Sequence, residues 1–355
     1  MTGKVKKVQK ELTKRGIDAV LITSSINRRY MTGFTGTAGV ALISQDKARF
    51  ITDFRYTEQA TKQAEHFEVV EHKSQIHEEI KNQLNELNIK SLGFEENQVT
   101  YATYELYKNT FNEVKLEPIG NIIENLRIYK TSEELEVMKR AAEIADKAYD
   151  HIQTFIKPGV KEIDVSNELE FFMRKQGATS SSFDIIVASG HRSALPHGVA
   201  SDKKIEEGEL VTLDYGALYQ GYCSDITRTL AVGDINDELK TIYDTVLKAQ
   251  ILGVEGIKPG MTGKEADALT REFITDKGYG SYFGHSTGHG LGMEVHEAPA
   301  LSHRSDVTLE PGMVVTVEPG IYIPNVGGCR IEDDIVITES GNERLTHSTK
   351  TLIQL

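Results

Sequence analysis

The second half of this chain repeats itself, and the repeat limits what it can fold into. Ile156-Lys-Pro-Gly159 recurs as Ile257-Lys-Pro-Gly260. In both copies the isoleucine lies 21 residues before a glycine, Gly177 or Gly278, that stops a helical pattern over 162–175 or 264–277. Gly208-Glu-Leu-Val-Thr-Leu-Asp214 then matches Gly312-Met-Val-Val-Thr-Val-Glu318, with six residues from glycine to carboxylate each time. Further on, Asp225 follows Cys223 and Glu332 follows Cys329. Four matches in one order predict two copies of a single α+β unit. Packed face to face about a pseudo-twofold axis, the copies would bring their carboxylates together.

Those carboxylates carry the chemistry. Asp214 and Glu318 each end an apolar, strand-like run. A carboxylate there is costly to bury without a cation or a hydrogen-bond donor. Asp214, Asp225, Glu318 and Glu332 close together would repel, and two divalent ions would neutralise them. Oxygen-rich ligands with one imidazole, His289, favour Mn²⁺, Co²⁺, Fe²⁺ or Zn²⁺. Two such ions serve hydrolytic chemistry. Three histidines, His285, His289 and His296, fall in or beside the glycine-rich stretch Gly284–Gly292, and His197 follows Ser193-Ala-Leu-Pro. His66, His72, His77, His151, His191, His303 and His347 lack such company and read as structural or exposed.

Residues 1–126 read differently. Helical patterns over 4–15, 56–64, 77–87 and 101–109 alternate with strand patterns over 19–23, 40–44, 49–52, 69–71 and 91–94. This alternation predicts an α/β layer domain. Thr131 and Glu134 form a capping-box pattern ahead of a long helix with Leu135, Met138, Ala142 and Ala145 as its apolar stripe. The boundary is placed at 126/127, giving a second domain over 127–355. Asp and Glu number 53 against 40 Lys and Arg, a net charge of −13 that argues against nucleic acid or an anionic membrane as partner. Two cysteines fit a reducing, cytoplasmic setting without a disulfide framework. No apolar run approaches a membrane span, and the basic opening Met1-Thr-Gly-Lys lacks the apolar core of a secretory signal.

These residues resemble the proline-specific metallopeptidases of the pita-bread fold, prolidase and aminopeptidase P, with methionine aminopeptidase and creatinase as relatives. The matching features are Asp214 and Asp225 eleven apart, Gly-His289-Gly, Val-Glu318-Pro-Gly and Arg330-Ile-Glu332. Thr32-Gly-Phe-Thr-Gly36 and Thr52-Asp-Phe-Arg55 resemble the creatinase-like N-terminal domain, so the resemblance spans essentially the whole chain.

The resemblance implies a dinuclear metal centre, Mn²⁺ first with Co²⁺ or Zn²⁺ as alternatives. Asp214 would bind one ion and His289 the other. Asp225 and Glu332 would bridge them, and Glu318 would complete the second ion's ligands and shuttle a proton. His296 would stabilise the oxyanion, His197 and His285 would line the pocket, and Arg330 would orient a ligand. The implied substrate is a peptide with proline second, cut at the Xaa-Pro bond, and the implied assembly is a homodimer. Short prolidase-like members often carry an arginine soon after the His-Glu-x-Pro stretch, whereas this chain has Ala300 in that place. This favours peptides longer than Xaa-Pro dipeptides. A creatinase-like or non-catalytic member of the same fold is the rival reading, and it predicts lost ligands where all five are present. Asn27-Arg-Arg-Tyr30 and Asp53-Phe-Arg55 read either as surfaces facing a neighbouring subunit's site or as loop polarity with internal hydrogen bonds.

Overall fold

The computed structural model describes residues 3–355, so Met1 and Thr2 of the basic opening segment lie outside the described residues. By their internal contacts the residues fall into two units, Met1–Arg127 and Ile128–Leu355.

In the first unit, Val5, Val8 and Leu12 recur at helical spacing and are buried along one face of α1 (Gly3–Arg15). Then follow β1 (Ala19–Ile22), α2 (Ser25–Thr32), β2 (Val40–Ser44), β3 (Ala48–Thr52), α3 (Thr57–Gln63), β4 (Glu68–Glu71), α4 (Ile76–Glu86), β5 (Ser91–Phe94), α5 (Tyr101–Thr110), β6 (Lys115–Pro118) and α6 (Ile122–Arg127). The six strands form one mixed sheet in the order β4-β3-β2-β1-β5-β6. The sequence pattern missed α2, β6 and α6. Helix α2 is only eight residues long, and its Arg28 and Arg29 hide the apolar stripe. It forms because the Ser24 side chain caps the Asn27 amide and Gly33 closes it at φ 77°. Asn27 and Arg28 are buried and bonded within this unit: Asn27 Nδ2 to Glu95, and the Arg28 guanidinium to the carbonyls of Gly36 and Gly39. Asp53 and Arg55 pair with each other.

The second unit opens with α7 (Ser132–Ile152), started by the Thr131–Glu134 capping box. It continues through α8 (Glu162–Lys175), β7 (Ser180–Ser181), β8 (Ile186–Ser189), β9 (Glu209–Tyr215), β10 (Ala217–Tyr219), β11 (Tyr222–Cys223) and β12 (Ile226–Val232). The other copy supplies α9 (Asp237–Gly256), α10 (Gly263–Asp276), β13 (Gly288–Gly290), β14 (Glu297–Leu301), β15 (Val314–Val317), β16 (Gly320–Ile323), β17 (Gly327–Arg330), β18 (Asp333–Ile337) and β19 (Asn342–Arg344). The repeat is physical. Gly159 N donates to Ile205 O and Gly260 N to Leu309 O, both at 2.8 Å. Lys161 bridges Lys204 as Thr262 bridges Thr308. Gly208 and Gly312, before β9 and β15, sit at φ 82° and 90°.

Two antiparallel pairs place the carboxylates. β9 pairs with β12 and β15 with β18. In an antiparallel pair, the end of one strand lies beside the start of its partner. Asp214 sits at the end of β9 opposite Thr227, and Asp225 immediately precedes β12. Glu318 follows β15 and Glu332 precedes β18, flanking the Val317–Asp333 pair. The Glu332 amide donates to Thr227 O at 3.0 Å, and the Asp225 amide to Asp334 Oδ2 at 2.9 Å, joining the two pairs. Fully buried Leu210, Val211, Leu213, Ile226 and Leu230 back them, each stabilising the fold by roughly 1.5–3 kcal/mol. No helix among the described residues is long and apolar enough to cross a membrane. Both cysteines are free thiols.

Candidate metal centre

A cavity of about 390 Å³ opens at the strand ends. Its lining includes Asp214, Asp225, His289, Glu318 and Glu332, together with His197, His285, His296 and Arg330. Every residue singled out for chemistry from the sequence therefore reaches one cavity, although Asp214 and Arg330 stand 116 positions apart. Phe183, Ile186, Pro196 and Val295 supply apolar wall.

The donor set fits a cation. Asp214 Oδ1, Asp225 Oδ1 and Glu332 Oε1 are buried and accept no hydrogen bond. A buried charged oxygen without a donor is costly, and a metal ion is the partner these residue types suit. Ligand atoms of Asp225, His289 and Glu332 all lie within 4.8 Å of one another. His289 Nε2 stands 3.4 Å from Glu318 Oε1 and 3.8 Å from Asp225 Oδ2. Its Nδ1 lies 3.1 Å from Gly290 O, an acceptor only, so Nδ1 carries the proton and Nε2 turns a lone pair toward the carboxylates. Lone pairs facing each other across that distance call for a cation between them.

The strand under His289 explains its flanking glycines. A Cβ on Gly288 would meet Thr316 O at 1.9 Å, and one on Gly290 would meet Ala298 O at 2.2 Å. Only glycine lets β13 lie between β14 and β15 at this approach.

Arg330 is buried rather than a surface ion pair. Its Nη2 donates to Asp214 Oδ2, its Nη1 to Tyr322 OH at 2.7 Å and Pro196 O at 3.2 Å, and its Nε to Thr227 Oγ1 at 3.1 Å. Because arginine only donates, the Tyr322 hydroxyl accepts from it and donates to His285 Nε2 at 2.8 Å. His285 Nδ1 then donates to Ser286 O at 2.8 Å. His285 is thus a neutral imidazole with both nitrogens engaged. Sequence reasoning missed Tyr322, Thr227 and Asp334, whose partners lie far along the chain. Thr227 Oγ1 also donates to Glu332 Oε2 at 2.6 Å.

Burial, then repulsion from Glu332, Asp214 and Asp334, pushes the Asp225 carboxyl well above the usual range. Burial, then Glu318 and Asp214, does the same to Glu332. Burial raises Glu318 to about 8 despite the opposing Arg330. Burial lowers His285 and His289 to about 4. These shifts predict a pH signature. Raised carboxyls hold protons in the folded state that the unfolded chain has lost, so stability falls as pH rises toward the folded value. The imidazoles act in the opposite sense, but only between about 4 and 6.5. Above 6.5 the carboxylates act alone. Chelator-stripped protein should therefore lose thermal stability from pH 6.5 to about 8, by about 1.4 kcal/mol per pH unit for each retained proton. Added divalent metal should abolish the decline. Thermal unfolding with and without chelator checks this, and a flat profile for the stripped protein would contradict it.

Residues 136–339 match metallopeptidase family M24, and residues 4–129 match the Creatinase/Prolidase N-terminal domain. The solved structure of an Xaa-Pro dipeptidase from Bacillus anthracis is 61% identical and superposes with a TM-score of 0.98, over 99% of each chain. An Xaa-Pro dipeptidase of Pyrococcus horikoshii is 44% identical over 99% of this chain and 99% of its own. The structure of an X-Pro aminopeptidase from Thermotoga maritima is 42% identical with a TM-score of 0.92, covering 97% of this chain and 99% of that one.

Proposed function

Since this chain belongs to metallopeptidase family M24 and carries the Creatinase/Prolidase N-terminal domain, we propose that it hydrolyses the Xaa-Pro bond at the N-terminus of peptides. The observation that carries this reading is the convergence of Asp214, Asp225, His289, Glu318 and Glu332 on one partly apolar cavity. Asp214 would hold one divalent ion, His289 and Glu318 a second, and Asp225 and Glu332 both. Divalent ions held there would polarise the scissile carbonyl and acidify the attacking water. Mn²⁺ is our first choice, with Co²⁺ or Zn²⁺ as alternatives; the carboxylate-rich donor set supports it.

Glu318 accepts the proton of the attacking water and returns it to the leaving proline nitrogen. That role needs a carboxylate beside the attacking water, and Glu318 lines the cavity next to His289. His296, exposed at the cavity with its ring centroid 4.4 Å from that of His289, donates to the developing oxyanion. His285 has both nitrogens engaged, so it presents its ring to the substrate as wall. Pro196, Phe183 and Val295 extend that wall for the proline ring. An Xaa-Pro bond is a tertiary amide that general peptidases handle poorly, which suits a dedicated pocket.

Chain length of the substrate follows from charge. Among the described residues that line the cavity, Arg330 is the one arginine or lysine, and its guanidinium is engaged by Asp214, Tyr322, Thr227 and Pro196. Ala300 lines the cavity without charge. No arginine or lysine there is left to hold a dipeptide's terminal carboxylate, so Xaa-Pro-Xaa peptides should be cleaved at least as well as Xaa-Pro. We place the protein in the cytoplasm as a homodimer; its free thiols support the first and its family the second.

The test uses chelator-stripped protein with Mn²⁺, Co²⁺ or Zn²⁺ restored, assayed on a dipeptide Xaa-Pro beside a tripeptide Xaa-Pro-Xaa. Metal-dependent cleavage of both, or of the tripeptide alone, supports the reading. Cleavage of the dipeptide alone overturns the length argument, and no cleavage with any metal overturns the function. A His296→Ala protein should keep its metal and lose roughly 10²–10⁴-fold in kcat with little change in KM. A change confined to KM would reduce His296 to a binding residue.

A further inference from the structure

Helices α8 and α10, the repeated pair, each bury one carboxylate that takes no part in the proposed reaction. On α10, Asp267 is 1% exposed and on α8, Glu162 is 0% exposed. Glu162 lies three residues after its Lys-Pro-Gly glycine and Asp267 seven after the equivalent glycine, so the two stand one turn apart on the same helix face.

Each carboxylate pairs with an arginine and grips a loop. Asp267 accepts from Arg271 Nε at 2.5 Å and Nη2 at 2.8 Å, and from the Thr287 amide at 2.9 Å. Arg271 in turn donates to Phe283 O at 3.1 Å and His285 O at 2.7 Å. The backbone is therefore fastened on both sides of His285, in a stretch where Gly284, Gly288, Gly290 and Gly292 give little stiffness of their own. Glu162 accepts from the amide and hydroxyl of Ser189 at 2.8 and 2.9 Å, and from those of Ser201 at 3.1 and 2.6 Å. These two serines close the base of the loop that carries Pro196 and His197. Arg192 links Glu162, at 3.0 Å, to Val199 O, at 2.7 Å, across that loop.

We propose that Asp267–Arg271 and Glu162–Arg192 are positioning pairs, one from each copy of the repeat, that hold the His285 and His197 walls of the substrate cavity in place. None of the four lines the cavity or bonds to a proposed ligand side chain; they act through the backbone that carries the walls. Charge-assisted hydrogen bonds inside the protein are the means by which a glycine-rich wall keeps one conformation. The proposal rests on the peptidase reading of that cavity.

The test uses the whole protein with metal restored. The double variants Asp267→Asn/Arg271→Met and Glu162→Gln/Arg192→Met remove each pair without stranding one buried charge. Each should retain full metal content, keep kcat within about twofold and raise KM for an Xaa-Pro-Xaa peptide roughly tenfold, the pattern of lost binding common to ground and transition state. Amide exchange should quicken at 283–287 in the first and at 190–200 in the second, whether or not the peptide is the right substrate. Arg271→Lys keeps the charge but not the fork, and should give the same KM shift with a small loss of thermal stability; it decides the matter if a double variant fails to fold. An unchanged KM with unchanged exchange, or a loss of metal, would overturn the proposal. Absence of turnover in the unaltered protein would instead fail the peptidase reading and leave exchange to decide the pairs.

Discussion

Asp225→Asn and Glu332→Gln proteins should fold, fail to hold metal and lose hydrolysis by at least about 10³-fold. A cation's charge supplies several kcal/mol of transition-state stabilisation, and each 1.36 kcal/mol is tenfold in rate. Asp225 and Glu332 are nearly inaccessible, each keeps one buried oxygen without a donor, and both lie in the cluster with His289. An amide in either place offers one neutral oxygen where the centre needs an anion. The same replacement should stabilise the stripped protein at pH 8, because it deletes a carboxylate that burial and its neighbours disfavour. Metal at 100 times its dissociation constant should add about 2.7 kcal/mol to the unaltered protein and almost nothing to the variants. Metal analysis, thermal unfolding and a peptide assay on the same preparations read all three effects. Full metal content with normal turnover in either variant would sink the assignment of these two residues as shared ligands.

Glu318→Gln, assayed at saturating metal, should lower kcat by about 10²–10⁴-fold while KM moves little, the range expected when a general acid–base group is removed. Thr316 Oγ1 lies 3.4 Å from Glu318 Oε1 and also accepts from the His289 amide at 3.1 Å, so the glutamine variant keeps a partner and should hold its place. The acid limb of the pH–rate profile should flatten with it, since no carboxyl remains there to titrate. If kcat persists and metal affinity alone falls, Glu318 is a ligand and the proton passes elsewhere.

Of the five proposed ligands, Asp214 and Glu318 were legible in the sequence for a local reason. A carboxylate at the end of a β-branched run is anomalous within a dozen residues, and the repeat showed the anomaly twice. The capping box at Thr131 was legible for the same reason, since both of its partners lie within one turn. Helix α2 was not legible, because Asn27, Arg28 and Tyr30 are buried by partners on other elements and their polarity resembles a loop. The role of Arg330 shows the same division. Its position two residues before Glu332 suggested a ligand support, but its partner Asp214 is set by the meeting of two halves of the repeat.

Sequence alone determined the repeat, the residue types at the centre and the order in which they occur. Tertiary structure decided which oxygen is left without a donor, which nitrogen of His285 carries a proton, and which helix carboxylate grips which loop. Periodicity and strand-end charge are properties of neighbouring residues, whereas hydrogen-bond partnership in a buried site depends on approach between segments 100 or more positions apart, as between Thr227 Oγ1 and Glu332 Oε2, separated by 105.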